Sequence, residues 1–296
     1  MERGLYIVPT PIGNLADITQ RALDTLTQVA LVAAEDTRHS RKLLAHYGIE
    51  TPLCAYHDHV SEEVTEQLLA RMIAGEAIAL ISDAGTPLVS DPGFRLVRAA
   101  QAKHIPVIPL PGPCAAITAL SGAGLPTDRF FFEGFLPAKS QQRRKRLESL
   151  QRQAGTLIFY EAPHRIKATL ADAAEIMGSE REAVLARELS KAFETLRRDS
   201  LSGLLAWVEA DVNQQRGEQV LLIGPADEPS DNELLEKDRQ LLFRVADELP
   251  PRKAASIVSE VTGVKARILY EHLINREKND ISSLSANPRS LKLTAS

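Results

Sequence analysis

Residues 77–93 read AIALISDAGTPLVSDPG, and the predicted fold rests on this stretch. Residues 77–81 form an apolar run of strand length, and residues 93–103 have helical spacing. The turn between them is rich in glycine, proline and small residues, which allow a sharp bend and let a ligand approach the backbone. The stretch therefore predicts a buried strand, a functional turn and a helix.

The same order of strand, turn and helix recurs over the first 122 residues. Two further turns of similar composition follow apolar runs, at residues 9–14 (PTPIGN) and 111–116 (PGPCAA). The alternation predicts a parallel sheet with helices on both faces. Because ligands collect beyond the carboxyl ends of such strands, the three turns are predicted to share one cleft. Any one of them alone would also suit a plain connection between a strand and a helix.

The second half of the chain predicts a less regular arrangement. Strands are expected near residues 129–134, 156–160, 184–186 and 219–223, and helices at 140–153 and 166–177. These elements alternate less strictly, which favours a mixed sheet. The predicted organisation is an α/β domain at 1–122, a second α/β domain at 123–226, a helical module at 239–275 and a disordered tail at 277–296. An acidic, turn-rich linker is expected at 226–238.

Composition excludes several classes of protein. Hydrophobic residues make up 44% of the 296 residues and charged residues 25%, which is ordinary for a globular chain. The net charge of −4 provides no global positive field for a polyanion. Cys54 and Cys114 are far apart, which argues against a disulfide framework and fits a reducing compartment. With no signal-peptide pattern and no apolar run of bilayer length, we expect a cytoplasmic protein without a membrane partner.

Acidic and basic residues follow several predicted strands. Residues 35–38 (EDTR) suit substrate positioning or proton handling, or else a helix start with Asp36 as the cap and Glu35 paired to Arg38. Residues 159–165 (FYEAPHR) and 186–191 (ARELSK) place carboxylates, cations and hydroxyl groups at two later strand ends. Surface ion pairs would explain them too, but their position at strand ends favours a site.

Two segments are candidates for nucleic-acid contact. Residues 139–146 (KSQQRRKR) could bind phosphates, or could form a solvated helix face balanced by Glu148. Residues 249–270 have helix-turn-helix spacing, with Lys265 and Arg267 at the start of the second helix. A small helical packing domain is the alternative for this module.

No metal site is predicted. The pair His57 and His59, with Asp58 between them, has no third ligand at a telling spacing. The chain also lacks GxGxxG after the first strand, GxxxxGK[ST], GxSxG and HExxH, so the ordinary dinucleotide and common methyltransferase loops are missing.

Six runs together resemble one family. Residues 6–15, 34–38, 82–93, 111–115, 159–165 and 186–189 are similar to the tetrapyrrole methylase superfamily of S-adenosylmethionine-dependent methyltransferases. The resemblance covers about residues 4–275. It implies two α/β domains with the cofactor, S-adenosylmethionine, between them, and a homodimer. It further implies 2′-O-methylation of a cytidine in 16S ribosomal RNA of the small subunit, with no DNA partner; a tetrapyrrole (precorrin-type) C-methyltransferase is the alternative.

The resemblance also implies roles for particular residues. The expected cofactor contacts are Pro11, Ile12, Asp83, Ala84, Gly85, Thr86, Val89, Cys114, Ala115, Tyr160, Glu161 and Ala186. The candidate catalytic residues are Glu35, Asp36, Glu161 and Lys191. The candidate RNA contacts are Arg38, Arg143, Arg144, Arg146, His164, Arg165, Arg187, Lys265 and Arg267.

Overall fold

The computed structural model of the chain describes residues 1–57, 61–226, 234 and 236–285. The chain divides into two compact units, Met1–Ala226 and Asp227–Ser296. Both predicted α/β halves belong to the first unit. The α/β class and the additional C-terminal helices are as predicted. Among the described residues, no helix is long and apolar enough to span a membrane.

The first half of this unit is a parallel five-stranded sheet in the order β3-β2-β4-β1-β5. Its strands are β1 (Gly4–Ile7), β2 (Leu31–Ala34), β3 (Leu53–Ala55), β4 (Ala77–Ile81) and β5 (Val107–Pro109). Its helices are α1 (Gln20–Gln28), α2 (Thr37–His46), α3 (Glu62–Ile73), α4 (Phe94–Ala102) and α5 (Ala115–Ala123). Ile78 and Leu80 face one apolar core and Ala79 and Ile81 the other, which explains the continuous apolar runs.

The second half contains a mixed sheet in the order β6-β7-β10-β8-β9. Its strands are β6 (Phe130–Phe135), β7 (Thr156–Glu161), β8 (Glu182–Arg187), β9 (Thr195–Ser200) and β10 (Gln219–Ile223). Only β6 and β7 are parallel; the other neighbours are antiparallel. The helices are α6 (Ser140–Leu150), α7 (Ile166–Met177) and α8 (Leu201–Ala210). The mixed sheet confirms the prediction, whereas β9 and α8 were not predicted.

The two faces of the second sheet pack against different helices. Leu157 and Phe159 belong to the core formed with α6, α7 and α8. Ile158 and Ala186 belong to a separate core with α5, the last helix of the first half. Because side chains alternate along a strand, each residue of this sheet points either to α6–α8 or toward α5 and the first half. This alternation decides which residues of the second sheet can reach a shared site.

The second unit contains α9 (Glu236–Ala246), α10 (Pro251–Thr262) and α11 (Ala266–Ser285). Gly263 has φ of +76° and ends α10 in the left-handed conformation, which a glycine adopts at little cost. The module thus begins before residue 239. Its last helix also gives residues 277–285 a helical backbone where the sequence predicts a disordered tail. Residues 286–296, and the predicted linker apart from residues 226, 234 and 236–238, lie outside the described residues.

The basic run of α6 is engaged in ion pairs. The Arg143 side chain is only 6% exposed, and its guanidinium lies 2.7 Å from Asp172 of α7. Arg144 contacts Asp172 at 3.1 Å and also pairs with Glu175. Arg146 pairs with Glu133 of β6. The partners are therefore not Glu148, and this geometry favours a structural role for the three arginines over the predicted RNA contact.

We predict that Asp172→Asn destabilises the first unit far more than Glu175→Gln. The first substitution leaves the buried Arg143 without its charge partner, which should cost about 3 kcal/mol. Glu175 is 66% exposed, and water screens its ion pair, so its loss should change the free energy of unfolding little. Urea unfolding followed by the fluorescence of Trp207, the single tryptophan, measures this unit. Equal effects of the two substitutions would contradict the structural role.

Candidate active site

The three predicted turns are hydrogen-bonded to one another at the carboxyl edge of the first sheet. Thr10 and Gly85 exchange two backbone hydrogen bonds, both of 2.9 Å. The Thr10 hydroxyl donates to the Ser82 carbonyl at 3.1 Å. The Thr86 hydroxyl donates to the Pro113 carbonyl at 2.8 Å. The shared cleft expected from the sequence is confirmed, because one network joins residues from all three turns.

The central turn has an unusual backbone. Gly85 has φ of +85°, and Leu88 and Ser90 have φ of +73° and +65°. Residues other than glycine rarely adopt such positive φ angles, so contacts with surrounding residues must hold Leu88 and Ser90 in this conformation. The resulting path brings Val89, Ser90 and Asp91 to the wall of a cavity.

The opposite wall comes from the second sheet. Val220 is paired in register with both Tyr160 and Ala186, and the three side chains face α5. The Tyr160 hydroxyl accepts a hydrogen bond of 3.2 Å from the Ala116 amide at the start of α5. The Phe135 ring lies 5.7 Å from the Tyr160 ring, centroid to centroid. These contacts place β6, β7, β8 and β10 across the cavity from the three turns.

The cavity has a volume of about 380 Å³, which is in the range of small-molecule sites. Nine of the predicted cofactor contacts line it: Ile12, Ala84, Gly85, Thr86, Val89, Ala115, Tyr160, Glu161 and Ala186. The other three, Pro11, Asp83 and Cys114, do not line it. Cys114 packs beside Tyr160 in the core below α5.

Nine further residues line the cavity and were not singled out from the sequence: Ser90, Asp91, Phe135, Ala162, Pro163, Leu189, Glu218, Gln219 and Val220. Ser90 and Asp91 belong to the turn within residues 77–93, so the sequence pattern could have indicated them as site residues. Residues 218–220 line it because β10 runs antiparallel to β7 and β8. The first residues of β10 therefore adjoin the last residues of β7 and β8. The direction of β10 could not be predicted from the sequence.

Glu161, predicted as catalytic, has its carboxylate on the far face of the sheet. It accepts hydrogen bonds from the Thr169 hydroxyl at 2.6 Å and from the Ala162 amide at 2.9 Å. Arg165 lies 3.2 Å from the same carboxylate. Since Glu161 alternates with Tyr160, its side chain points toward α7 and away from the cavity. The geometry favours a structural role.

Lys191, also predicted as catalytic, is held by two carboxylates. Its Nζ donates to Glu188 at 2.9 Å and to Glu218 at 3.0 Å. Partial burial alone would lower the pKa of Lys191, but the hydrogen bonds to the two carboxylates outweigh it and raise the pKa above its ordinary value. A lysine base needs a lowered pKa, so the shift has the wrong direction for that role.

Asp36 is the cap of α2. It accepts from the Arg38 amide at 2.8 Å and pairs with the Arg38 guanidinium at 2.9 Å. These hydrogen bonds lower the pKa of Asp36 to about 2, which makes it a weak base. The capping alternative is thus correct, although Arg38 pairs with Asp36 where Glu35 was expected. The Asp36 amide in turn donates to Asp83 at 3.1 Å, which joins this loop to the central turn.

Asp91 is half-buried and lines the cavity. Burial raises the pKa of Asp91 to about 6; a hydrogen bond from Ser82 opposes the rise, and the nearby charges of Glu35 and Asp83 add to it. On the other wall, burial raises the pKa of Tyr160, with contributions from Cys114 and Asp91. The cavity therefore contains a carboxylate whose pKa lies above that of an exposed aspartate.

The remaining RNA candidates occupy different settings. Arg165 donates to the carbonyls of residues 136 and 137, and Arg187 donates to the Phe193 carbonyl and the Thr195 hydroxyl. These two arginines thus shape loops. His164 is exposed, and the side chains of Arg38 and Arg267 are 89% and 81% exposed.

The histidine pair considered for metal falls partly outside the description, since Asp58 and His59 are not among the described residues. Within the described ranges, no group of three or more His, Cys, Asp or Glu residues is arranged to hold a metal ion.

The chain belongs to the tetrapyrrole methylase family. The family profile described as "Tetrapyrrole (Corrin/Porphyrin) Methylases" matches residues 4–205. A second profile, "RsmI C-terminal HTH domain", matches residues 232–277, in agreement with the helix-turn-helix spacing. The resemblance read from the six sequence runs is thereby confirmed.

Curated relatives match nearly the whole chain. A Pseudomonas aeruginosa protein named "Ribosomal RNA small subunit methyltransferase I" is 55% identical over 92% of this chain and 97% of its own. An Escherichia coli O157:H7 protein of the same name is 51% identical over 92% of this chain and 95% of its own.

Solved structures share the fold at low identity. A diphthine synthase superposes with a TM-score of 0.58 at 15% identity, over 74% of this chain and 89% of its own. A uroporphyrin-III C-methyltransferase from Thermus thermophilus, complexed with S-adenosylhomocysteine, has a TM-score of 0.52 at 18% identity, over 75% and 97%. These likenesses extend to the fold alone.

Proposed function

We propose that this protein transfers a methyl group from S-adenosylmethionine to the 2′-hydroxyl of a cytidine in 16S ribosomal RNA of the small subunit. The observation that carries the substrate class is the identity of 50–55%, over at least nine-tenths of the chain, to relatives named for small-subunit ribosomal RNA methylation. The solved tetrapyrrole methyltransferases share only 18–22% identity with this chain, so we do not favour the tetrapyrrole alternative.

The cavity suits the proposed cofactor in size and chemistry. Ala84, Gly85, Ala115 and Ala186 have small side chains and leave room for a nucleoside-sized ligand. The Asp91 carboxylate offers a negative charge to a cationic ligand. When bound, S-adenosylmethionine supplies a methyl group on a positively charged sulfur. The lining residues Ile12, Ala84, Gly85, Thr86, Val89, Ala115, Tyr160 and Ala186 would hold it, largely through backbone contacts.

The substrate must reach this cavity with its ribose exposed. A nucleotide in a folded RNA therefore has to be splayed from its neighbours before the 2′-hydroxyl can enter. Phe135 is 56% exposed, lines the cavity and packs against Tyr160. Its ring offers a flat surface on which the displaced base can stack.

Contacts to the surrounding RNA are expected from local basic patches, because the net charge is negative. Arg38 is exposed in the first turn of α2, and its neighbour Asp36 contacts the central turn. Lys265 and Arg267 begin the second helix of the helix-turn-helix module, the position that contacts nucleic acid in such modules. We propose these three and His164 as RNA contacts, with the enzyme acting in the cytoplasm.

A homodimer is the expected assembly. Phe130, Phe131 and Phe132 are exposed on β6, which is an edge strand of the second sheet. An apolar edge strand of this kind is a template for pairing with another chain. We propose that two copies associate through β6.

Sedimentation should give a mass about twice 32.4 kDa for the wild-type protein. Phe131→Glu places a charge in the proposed interface and should yield monomers, whereas the same change at the exposed Phe94 of α4 should not. A monomeric wild-type protein contradicts the dimer.

We predict that Ala115→Phe weakens binding of S-adenosylhomocysteine at least tenfold, because the new ring fills the cavity. The matched control is Ile117→Phe, on the same helix but 50% exposed, which should leave binding unchanged. Isothermal titration calorimetry measures both. Undiminished binding by Ala115→Phe would place the cofactor outside this cavity.

The proposed reaction is tested with a labelled methyl donor. Small ribosomal subunits that lack the modification should take up label, and nuclease digestion should release it as 2′-O-methylcytidine. A precorrin substrate should take up none. The double variant Lys265→Ala, Arg267→Ala should raise KM for the subunit about tenfold without changing cofactor affinity, because phosphate contacts are lost. Label in the tetrapyrrole and none in the RNA would contradict the proposal.

A further inference from the structure

Helix α2 carries a basic stripe, formed by Arg38, Arg41 and Lys42. The three cations are spaced i, i+3 and i+4, which makes them neighbours on one side of the helix. All three are exposed, whereas Leu44 is buried in the core between α2 and the sheet. Helix α2 contains no Asp or Glu. The stripe is therefore a concentrated positive surface on a chain whose net charge is −4.

Only the first cation of the basic stripe has a carboxylate partner within the described ranges. Arg38 pairs with Asp36, the cap of α2. Among the described residues, Arg41 and Lys42 have no carboxylate oxygen within 4 Å. The basic run of α6 is the opposite case, because its three arginines pair with carboxylates of α7 and β6. Of these two runs, the one on α2 therefore keeps positive charge available for a partner.

The basic stripe does not serve the stability of α2. Like charges three or four residues apart on a helix repel one another. A cation in the first turn of a helix also opposes the helix dipole, which favours cations at the other end. Arg38 lies in the first turn, and Arg41 and Lys42 follow in the second. An anionic partner outside the chain would offset both effects.

The basic stripe begins beside the candidate active site. The Asp36 amide donates to Asp83 of the central turn at 3.1 Å, and β2 and β4 are neighbours in the sheet. At about 1.5 Å of rise per residue, Lys42 lies about 9 Å from Asp36 along α2. A nucleic acid with one nucleotide at the cavity would therefore present flanking phosphates to the stripe. Cations are needed there, because Glu35 and Asp83 place negative charge next to the cavity and repel phosphates.

We infer that the basic stripe of α2 binds the phosphate backbone of the substrate RNA beside the target nucleotide; this inference rests on the proposed function. Arg41 and Lys42 contact phosphates electrostatically, so the surface attracts and orients RNA without reading its sequence. Arg38 extends the same surface toward the cavity. The negatively charged protein thereby gains a local positive surface next to the site of methyl transfer.

The test uses the double variant Arg41→Ala, Lys42→Ala in the full chain. With S-adenosylhomocysteine present, its Kd for small ribosomal subunits that lack the modification should rise about tenfold. The slope of log K against log [KCl], measured by filter binding from about 50 to 200 mM, should be smaller by about 1.4, because two phosphate contacts are lost. KM for the subunit should rise, while kcat and the affinity for S-adenosylhomocysteine stay within about twofold of the wild type.

Two further variants make the comparison specific. Arg98→Ala, Arg152→Ala removes the same charge from exposed positions on α4 and after α6, and it should bind like the wild type. Arg41→Lys, Lys42→Arg keeps both charges on the stripe and should also bind within about twofold of the wild type. Because alanine favours helix and the repelling charges are gone, the Arg41→Ala, Lys42→Ala protein should melt no lower than the wild type.

The outcomes distinguish the basic stripe from the proposed function. Unchanged binding by Arg41→Ala, Lys42→Ala, with an active wild type, overturns the assignment of the stripe alone. Equal weakening by Arg98→Ala, Arg152→Ala also overturns it, since total charge would then explain the effect.

The same difference between Arg41→Ala, Lys42→Ala and the wild type should appear with protein-free 16S RNA, because the contact is to phosphates. Its absence there would assign the stripe to an acidic protein of the subunit and overturn the RNA contact. A wild-type enzyme that transfers no methyl group to small subunits overturns the proposed function, and the assignment of the stripe with it.

Discussion

The two backbone hydrogen bonds between Thr10 and Gly85 are the interaction on which the site depends. They join the turn after β1 to the turn after β4, two strands that are direct neighbours in the sheet. Gly85 adopts φ of +85° in this contact. A Cβ at this position would lie 3.3 Å from the Ile12 side chain, in the turn after β1. The third turn joins through Thr86 and Pro113. Hydrogen bonds to backbone groups thus hold the three turns together along one wall of the cavity, where small residues and prolines are frequent.

The second wall depends on α5, which follows the third turn and packs against the second sheet. The Ala116 amide, near the start of this helix, donates a hydrogen bond to the Tyr160 hydroxyl, which joins the two halves of the unit beside the cavity. The alternation of side chains then divides the acidic residues of the sheet. Glu161 stabilises the contact with α7, while neighbouring Tyr160 faces the ligand space. Because successive side chains of a strand point to opposite faces of the sheet, one residue can stabilise the packing while its neighbour faces the site.

Much of the first half could be predicted, because its strands are buried on both faces and their turns carry glycine and proline. Strand β4 has the bounds predicted from the sequence. Strand β9 was missed because TLRRDS has three consecutive charged residues and lies at a sheet edge. Helix α8 was missed because its sequence, LSGLLAWVEA, is mostly apolar and shows little helical patterning. The partners of Arg143 and Lys191 could not be predicted either, since Asp172 and Glu218 are distant in sequence. For the same reason the face to which Glu161 points required the structure.

The cavity has two walls. One consists of the turns, with backbone groups, small side chains and Asp91, and the other consists mainly of aromatic and aliphatic side chains of the second sheet. The central claim is that this cavity holds the methyl donor. A crystal structure of the full chain with S-adenosylhomocysteine tests it most directly. The account predicts the ligand between residues 84–89 on one side and Tyr160, Ala186 and Val220 on the other. A ligand bound at any other place, with this cavity empty, would contradict the account.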